Sequence, residues 1–228
     1  MPAGPWPEER AFSEPRQSRG VFVTIEGLDF SGKSTLVGLL RQTLSAPDLP
    51  EVKFTREPGG TPAAERIREV LLDPELSVDA WTEAYLYAAA RADHVRNGLR
   101  PALDSGTIVI CERYLDSSLA YQGGGRELGV EAVRALNERA VDGLMPDRTF
   151  YLALGAEERE RRARESGALL DRVECAGAGF MRRVEESFEE LARKEPDRIE
   201  RLDATLPPEE LAATVRREVG DLLYTWRA

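Results

Sequence analysis

Gly27-Leu-Asp-Phe-Ser-Gly32-Lys33-Ser34 fits the spacing G-x-x-x-x-G-K-[ST], and it stands where that spacing carries meaning. Before it, Val21-Phe-Val-Thr-Ile-Glu26 is a short apolar and β-branched run; after it, Ser34 to about Leu44 is amphipathic at helical spacing. A strand that feeds a glycine-rich turn opening a helix commits the chain to an α/β architecture, in which each helix crosses back to the next parallel strand. The chemistry is equally constrained. The glycines let backbone N–H groups turn inward around phosphate oxygens, and the helix N-terminus adds partial positive charge. Lys33 reaches the β- and γ-phosphates, and Ser34 offers a hydroxyl to Mg²⁺. The expected nucleotide site is therefore this P-loop: Gly27, Asp29, Phe30, Ser31, Gly32, Lys33, Ser34 and Thr35.

The rest of the chain repeats the alternation. Val52 to Thr55 reads as a second strand, followed by Thr61 as N-cap and Pro62 as first residue of a helix through about Leu72. The pattern predicts a helix from about Thr82 to Leu99, a strand over Thr107 to Cys111, a helix from Val130 to Asp142 and a strand from Thr149 to Leu154. Charged helices flank a Gly/Ala-rich stretch near 176–179, and a strand over Ile199 to Asp203 precedes a helix from Pro207 onward. Five parallel strands with helices on both faces follow from this order. Residues 1–19, rich in proline and mixed charge, read as a flexible extension, and residues 20–228 as one folded domain.

Composition excludes several function classes. The apolar runs fall short of the roughly twenty residues that a membrane span needs. A net charge of −10 disfavours nucleic acid and acidic lipid as partners but leaves a pocket free to hold a small anion. Two cysteines, Cys111 and Cys175, make neither a disulfide framework nor a metal site, which suits a reducing cytoplasm. The single histidine, His94, reads as a solvated helix residue, so chemistry built on a histidine base is disfavoured.

The P-loop alone leaves GTPases, motor ATPases and small-molecule kinases open. The sequence has no N-K-x-D segment for guanine and no Walker B strand ending in aspartate. The nearest equivalent is Val109-Ile-Cys-Glu112, followed by Arg113-Tyr114. An acidic residue beside an arginine at a strand end places a magnesium-water holder next to a phosphate clamp.

Five segments in order carry a further signal: Glu26-Gly-Leu-Asp29, Thr55-Arg-Glu-Pro-Gly-Gly-Thr61, Tyr87-Ala-Ala-Ala-Arg91, Glu112-Arg-Tyr-Leu-Asp-Ser-Ser-Leu-Ala-Tyr-Gln-Gly123 and Leu170-Asp-Arg-Val-Glu174. From Gly20 to the C-terminus the chain resembles the thymidylate kinase family, of the bacterial type with lid arginines. The resemblance implies a P-loop NTPase fold with a flexible lid over about residues 159–174, ATP and Mg²⁺ as cofactors, dTMP as acceptor, and a homodimer through the helices near 61–72 and 82–99. It implies that Asp29 accepts from the acceptor's 3′-hydroxyl, Tyr87 stacks on thymine, Arg91 donates to a thymine carbonyl and Ser118 reads the base edge. Tyr121 would close on the sugar where a ribose 2′-hydroxyl would protrude, and Gln122 and Asp171 complete the acceptor set. Arg113 would clamp the acceptor phosphate through its planar fork, with Arg56 a weaker candidate and Glu57 and Pro58 turning beside the substrate. With no arginine in the P-loop, Arg172 becomes the expected transition-state cation and Arg162 or Arg164 the one near ATP. At least two of Arg159, Arg161, Arg162, Arg164 and Arg172 would serve only a solvated helix face. The catalytic set is thus Lys33, Glu112, Arg113 and Arg172, and the metal set Ser34 and Glu112.

Plainer readings stay open for these side chains. Asp29 could stabilise its own loop, Arg91 could form a helix-surface ion pair, Ser118 and Tyr121 could be loop packing, and Arg113 could be a structural salt bridge. Three departures from the family pattern stand out: Glu112 where aspartate is usual, Phe30 where a small residue is usual, and a less polar lid segment, Ser166-Gly-Ala-Leu-Leu170. Two other functions compete. A deoxynucleoside kinase would share the Glu112-Arg113 pair, and a catalytically weak nucleotide-binding regulator would share the fold.

Overall fold

The computed structural model describes residues 20–44, 50–167, 173 and 176–227. The expected extension at 1–19 lies outside them, as do Asp171 and Arg172. β1 (Phe22–Glu26) runs into the P-loop and α1 (Lys33–Thr43), then β2 (Val52–Arg56) leads to α2 (Pro62–Leu72). Thr61 caps α2 as expected, its hydroxyl accepting from Ala64 N at 3.3 Å. The third helix, α3 (Ala80–His94), starts ahead of Thr82 because Asp79 caps it, accepting from Trp81 N and Thr82 N at 3.0 and 3.1 Å. It does not run as one α-helix to Leu99: a π-helical turn (Val95–Leu99) joins it to α4 (Arg100–Asp104), and Lys53 Nζ takes the Gly98 carbonyl at 2.8 Å. β3 (Ile108–Glu112), α5 (Leu115–Ser118) and a second π-helical stretch (Leu119–Gly125) precede α6 (Val130–Val141). β4 (Arg148–Ala153), α7 (Ala156–Ser166), α8 (Ala178–Lys194), β5 (Ile199–Asp203) and α9 (Pro208–Arg227) complete the order.

All five strands are parallel, in the order β2-β3-β1-β4-β5. Successive residues of β1 feed opposite cores, as the pleat requires. Val21, Val23 and Ile25 pack with Leu36, Leu40 and Val215 of α1 and α9, whereas Phe22 packs with Tyr114, Tyr151 and Phe188 on the other face. β1 is buried on both sides for its whole length, so its apolar residues do not alternate with solvent-facing ones, and its two polar residues, Thr24 and Glu26, are buried on internal hydrogen bonds.

The helical segment after β3 answers no helix in the sequence pattern, where Ser118 and Tyr121 have loop packing as their plainer reading, and it ends in three consecutive glycines, Gly123-Gly124-Gly125. Tertiary packing explains the glycines. A Cβ on Gly124 would lie 1.8 Å from Ser187 Oγ, and one on Gly125 would lie 2.6 Å from the Phe180 ring, so α8 sits directly on this backbone. Since every strand points the same way, the P-loop after β1, the 57–60 turn after β2 and Arg113 after β3 emerge together along one edge, the usual location of ligands in such sheets.

Candidate active site

The P-loop needs its glycines. Gly27 has φ 141°, and a Cβ there would lie 2.7 Å from Leu152 O; Gly32 has φ 95°. Phe30 also adopts a left-handed backbone, φ 67°, so the bulky departure noted in the sequence sits in a conformation that glycine tolerates better. Lys33 Nζ donates to Leu28 O at 2.8 Å and lies 3.8 Å from Asp29. Burial, followed by the neighbouring Arg113 charge, pushes the Lys33 ammonium down to about 8. Ser31 Oγ is buried with no hydrogen-bond partner among the described residues. Ser34 Oγ lies 3.1 and 3.2 Å from the two Glu112 oxygens. A hydroxyl and a carboxylate face to face form an all-oxygen donor set that fits a hard divalent cation. Among the described residues there is no group of three or more His, Cys, Asp or Glu able to cage a metal, so a cation here would depend on phosphate and water for most of its ligands.

Beside the P-loop lies a cleft of about 220 Å³, and every expected acceptor-site residue within the described part of the chain lines it: Asp29, Arg56, Glu57, Pro58, Tyr87, Arg91, Arg113, Ser118, Tyr121 and Gln122. Arg113 takes a left-handed backbone, φ 65°, and ties the two strand ends together. It donates to Gly27 O at 2.9 Å and Ser117 Oγ at 3.2 Å, pairs with Asp29, and lies 5.1 Å over the Tyr121 ring. Burial by itself would raise the Asp29 carboxyl; Arg113 and Lys33 overcome it and hold the group at about 2. Tyr121 donates to the other Asp29 oxygen at 3.2 Å.

Arg91 lies inside the protein, 2% exposed, so the surface ion-pair alternative fails. Its fork donates to Glu57 (2.8 Å), Tyr114 O (2.9 Å), Ser118 Oγ (3.0 Å) and Asn137. Ser118 is therefore coupled to Arg91. Gln122 Nε2 donates to the fully buried Glu83 at 2.9 Å. Arg56 is exposed and pairs with Glu65 at 2.9 Å.

His94 overturns its expectation. It is 0% exposed rather than solvated, because α3 turns Ala84, Ala88, Arg91 and His94 inward at steps of three and four. The sequence reading also passed over Arg68, which lines the cleft and donates to Pro58 O at 3.0 Å. A helical wheel carried the signal, since Arg68 follows the buried Ala64 by one turn and precedes the buried Leu71. Burial, then the Arg56 charge, lowers the Arg68 pKa. Glu26, quoted only as part of a motif, turns out to hold the base of the site. One of its oxygens accepts from Tyr114 N and Ser117 N at 2.7 and 3.3 Å, and the other from Ser117 Oγ at 2.5 Å.

Of the described lid arginines, Arg162 approaches Gly32 of the P-loop. It is held by Glu158 and Ala204 O, both at 2.8 Å, with its NH1 3.8 Å from where a Gly32 Cβ would be. Arg161 pairs with Glu158 and Glu165, and Arg164 is largely exposed. Arg159 and Arg164 line a second cleft with Phe30, Ala163 and Met181. Arg172, the expected catalytic cation, and Asp171 fall outside the described residues.

A family model described as Thymidylate kinase matches residues 25–215. The chain belongs to the thymidylate kinase family. It is 47% identical over 204 residues to the thymidylate kinase of Symbiobacterium thermophilum, spanning 89% of this chain and 94% of that relative. To that of Deinococcus radiodurans it is 44% identical over 208 residues, spanning 90% and 98%. The crystal structure of thymidylate kinase from Ehrlichia chaffeensis matches with a TM-score of 0.64 at 31% identity, over 81% of this chain and 93% of that one. The fold is thus the P-loop NTPase fold of thymidylate kinases.

Glu26 generates a pH prediction. Burial, followed by the nearby Asp116 charge, raises its carboxyl from the ordinary 4.5 to about 7. The folded state therefore holds a proton that the unfolded state has released, so this contribution to stability is complete below about pH 4.5 and is lost as pH rises to about 7. Glu26→Gln removes the titration. The stability of the wild type relative to Glu26→Gln should fall by roughly 2 kcal/mol between pH 4.5 and 7.5. Urea unfolding across that range measures it, and a constant difference would show that Glu26 does not titrate there.

Proposed function

We propose that this protein transfers the γ-phosphate of ATP to the 5′-phosphate of dTMP, giving dTDP and ADP. The observation that carries the reading is one cleft that opens beside the P-loop residue Asp29 and is lined by three guanidinium groups, Arg56, Arg68 and Arg113, together with Arg91, Ser118 and Tyr121. Such a concentration of positive charge suits an acceptor that already bears a phosphate, and argues against a neutral deoxynucleoside. In-line transfer between two phosphates needs positioning and charge neutralisation rather than a covalent intermediate or a histidine base.

In this reading Lys33 and the P-loop N–H groups hold the donor phosphates, and Arg162 closes on the nucleotide from α7. Arg113 and its neighbours hold the acceptor phosphate. Mg²⁺, held on the protein side by Ser34 and Glu112, would neutralise phosphate charge. Asp29, kept ionised by Arg113 and Lys33, can accept from a 3′-hydroxyl, and Tyr121 OH, directed at Asp29, leaves little room for a 2′-hydroxyl. The expected cytoplasmic location rests on the cysteine usage; separately, among the described residues no helix is long and apolar enough to cross a membrane. A homodimer through α2 and α3 accords with Val70, Leu76, Trp81 and Tyr85, large apolar side chains that lie exposed on and between these helices. Light scattering at micromolar concentration should give twice the chain mass, and a monomer mass would refute the dimer.

A coupled ADP-release assay should rank dTMP first, dUMP lower and the ribose counterpart of dTMP lower still; equal turnover of AMP or CMP would reject the assignment. With no arginine in the P-loop, a lid cation must meet the charge that develops on the transferred group. Arg172→Ala should lower kcat by roughly 10²-fold or more with little change in the KM for dTMP. Near-normal kcat in that variant, together with loss in Arg162→Ala, would move the role to Arg162.

A further inference from the structure

We propose that His94 is a positioning residue for the acceptor site, its imidazole fixing Glu57 and, through Glu57, both the Arg91 fork and the 57–60 turn. The inference rests on the reading of the cleft as the acceptor site and adds to it a residue that touches neither nucleotide.

The geometry is a buried chain of hydrogen bonds between β2 and α3. His94 Nδ1 lies 3.0 Å from Glu57 Oε1, and its Nε2 lies 2.9 Å from Thr55 Oγ1. The second Glu57 oxygen accepts from Arg91 Nε at 2.8 Å. Glu57 is 3% exposed, so its carboxylate depends on these two donors and has little access to water. A carboxylate only accepts, so Nδ1 carries the hydrogen; the Thr55 hydroxyl can serve Nε2 in either role. Arg91 and His94 stand three residues apart on α3 and grip the two oxygens of one side chain, which fixes both its direction and its rotation.

Packing fixes the ring as well. A Cβ on Gly60 would lie 2.4 Å from His94 Nε2, and one on Gly98 would lie 2.9 Å from its Cδ2. The imidazole is thus wedged between two glycines, one in the turn after β2 and one in the π-helical turn after α3. What it steadies is acceptor-facing: Glu57, Pro58 and Arg91 all line the cleft, and Arg91 carries Ser118. The contacts of the ring lie on Thr55, Glu57, Gly60 and Gly98, away from the P-loop that holds the donor. Loss of the imidazole should therefore be felt by the acceptor and not by ATP.

The test is a set of three variants of the full chain. Asparagine can present its amide N–H near the Nδ1 position and restore the donor to Glu57, whereas glutamine reaches toward Thr55 instead. His94→Ala should raise the KM for dTMP about tenfold, the scale of one lost hydrogen bond to a charged group, and leave the KM for ATP within about twofold. His94→Asn should recover most of the loss, and His94→Gln should resemble His94→Ala. Calorimetric dTMP affinity should follow the same order, and it reads the inference independently of turnover. Absence of dTMP turnover in the wild type would count against the proposed function alone. An unchanged KM for dTMP in His94→Ala, equal rises for dTMP and ATP, or a folded His94→Asn no better than His94→Gln would overturn the positioning role. If His94→Ala does not fold, the asparagine and glutamine variants decide; failure of all three to fold would make His94 a residue of stability alone and would also overturn it.

Discussion

The site depends on how one guanidinium joins the ends of β1 and β3. Arg113 holds Gly27 O, Asp29 and Ser117 while its own backbone occupies the left-handed region, where a non-glycine residue costs about 1–2 kcal/mol. That conformation persists because Arg113 N donates to Ile25 O and the next N–H, that of Tyr114, donates to Glu26, so the turn is anchored on both sides. The result is a fork rigidly placed between the P-loop and the acceptor cleft. A lysine could neither bridge three acceptors in one plane nor stack over Tyr121.

Around this fork the protein concentrates positive charge that its overall composition conceals. The chain carries a net charge of −10, yet Arg56, Arg68 and Arg113 line one cleft and Lys33 stands beside it, 3.8 Å from Asp29. Burial disfavours such a cluster, as the lowered pKa values of Lys33 and Arg68 reflect. Asp29 and Glu112 offset part of the cost, and a polyanionic ligand would offset more.

Most of the fold was legible because its signals are local. Thr61-Pro62 marked the start of α2, short apolar runs set between helical patterns marked the strands, and the P-loop fixed where the first strand ends. The errors share one physical origin, which is tertiary packing that overrides local pattern. The segment from Leu115 to Gly125 carries no helical expectation because nothing in the sequence shows α8 pressing on its backbone. The same limit applied to side chains. Asp29, Arg113 and Tyr121 could be located by motif, but Arg68 needed the helical wheel of α2 to be read for a half-buried cation. His94 was judged by what accompanies it in sequence, whereas its partners, Thr55 and Glu57, are about 40 positions away and meet it only across the packed β2–α3 interface.

The Phe30 departure connects the loop to the lid. On the proposed reading, an uncharged aromatic at this point of the P-loop removes one place from which a cation could meet the transferred phosphate, so that charge would come from elsewhere. Phe30, on its left-handed backbone, lines the same cleft as Ala163 and Arg164 of α7, and α7 is the helix that brings Arg162 to Gly32. Bulk at position 30 and cationic character on α7 are thus parts of one arrangement. The loop presents an apolar surface to the helix, and the helix carries the guanidinium groups that the loop lacks. Arg161 and Arg162 of α7 are already paired with Glu158, so a phosphate entering beside Gly32 would have to compete with that carboxylate for their guanidinium groups.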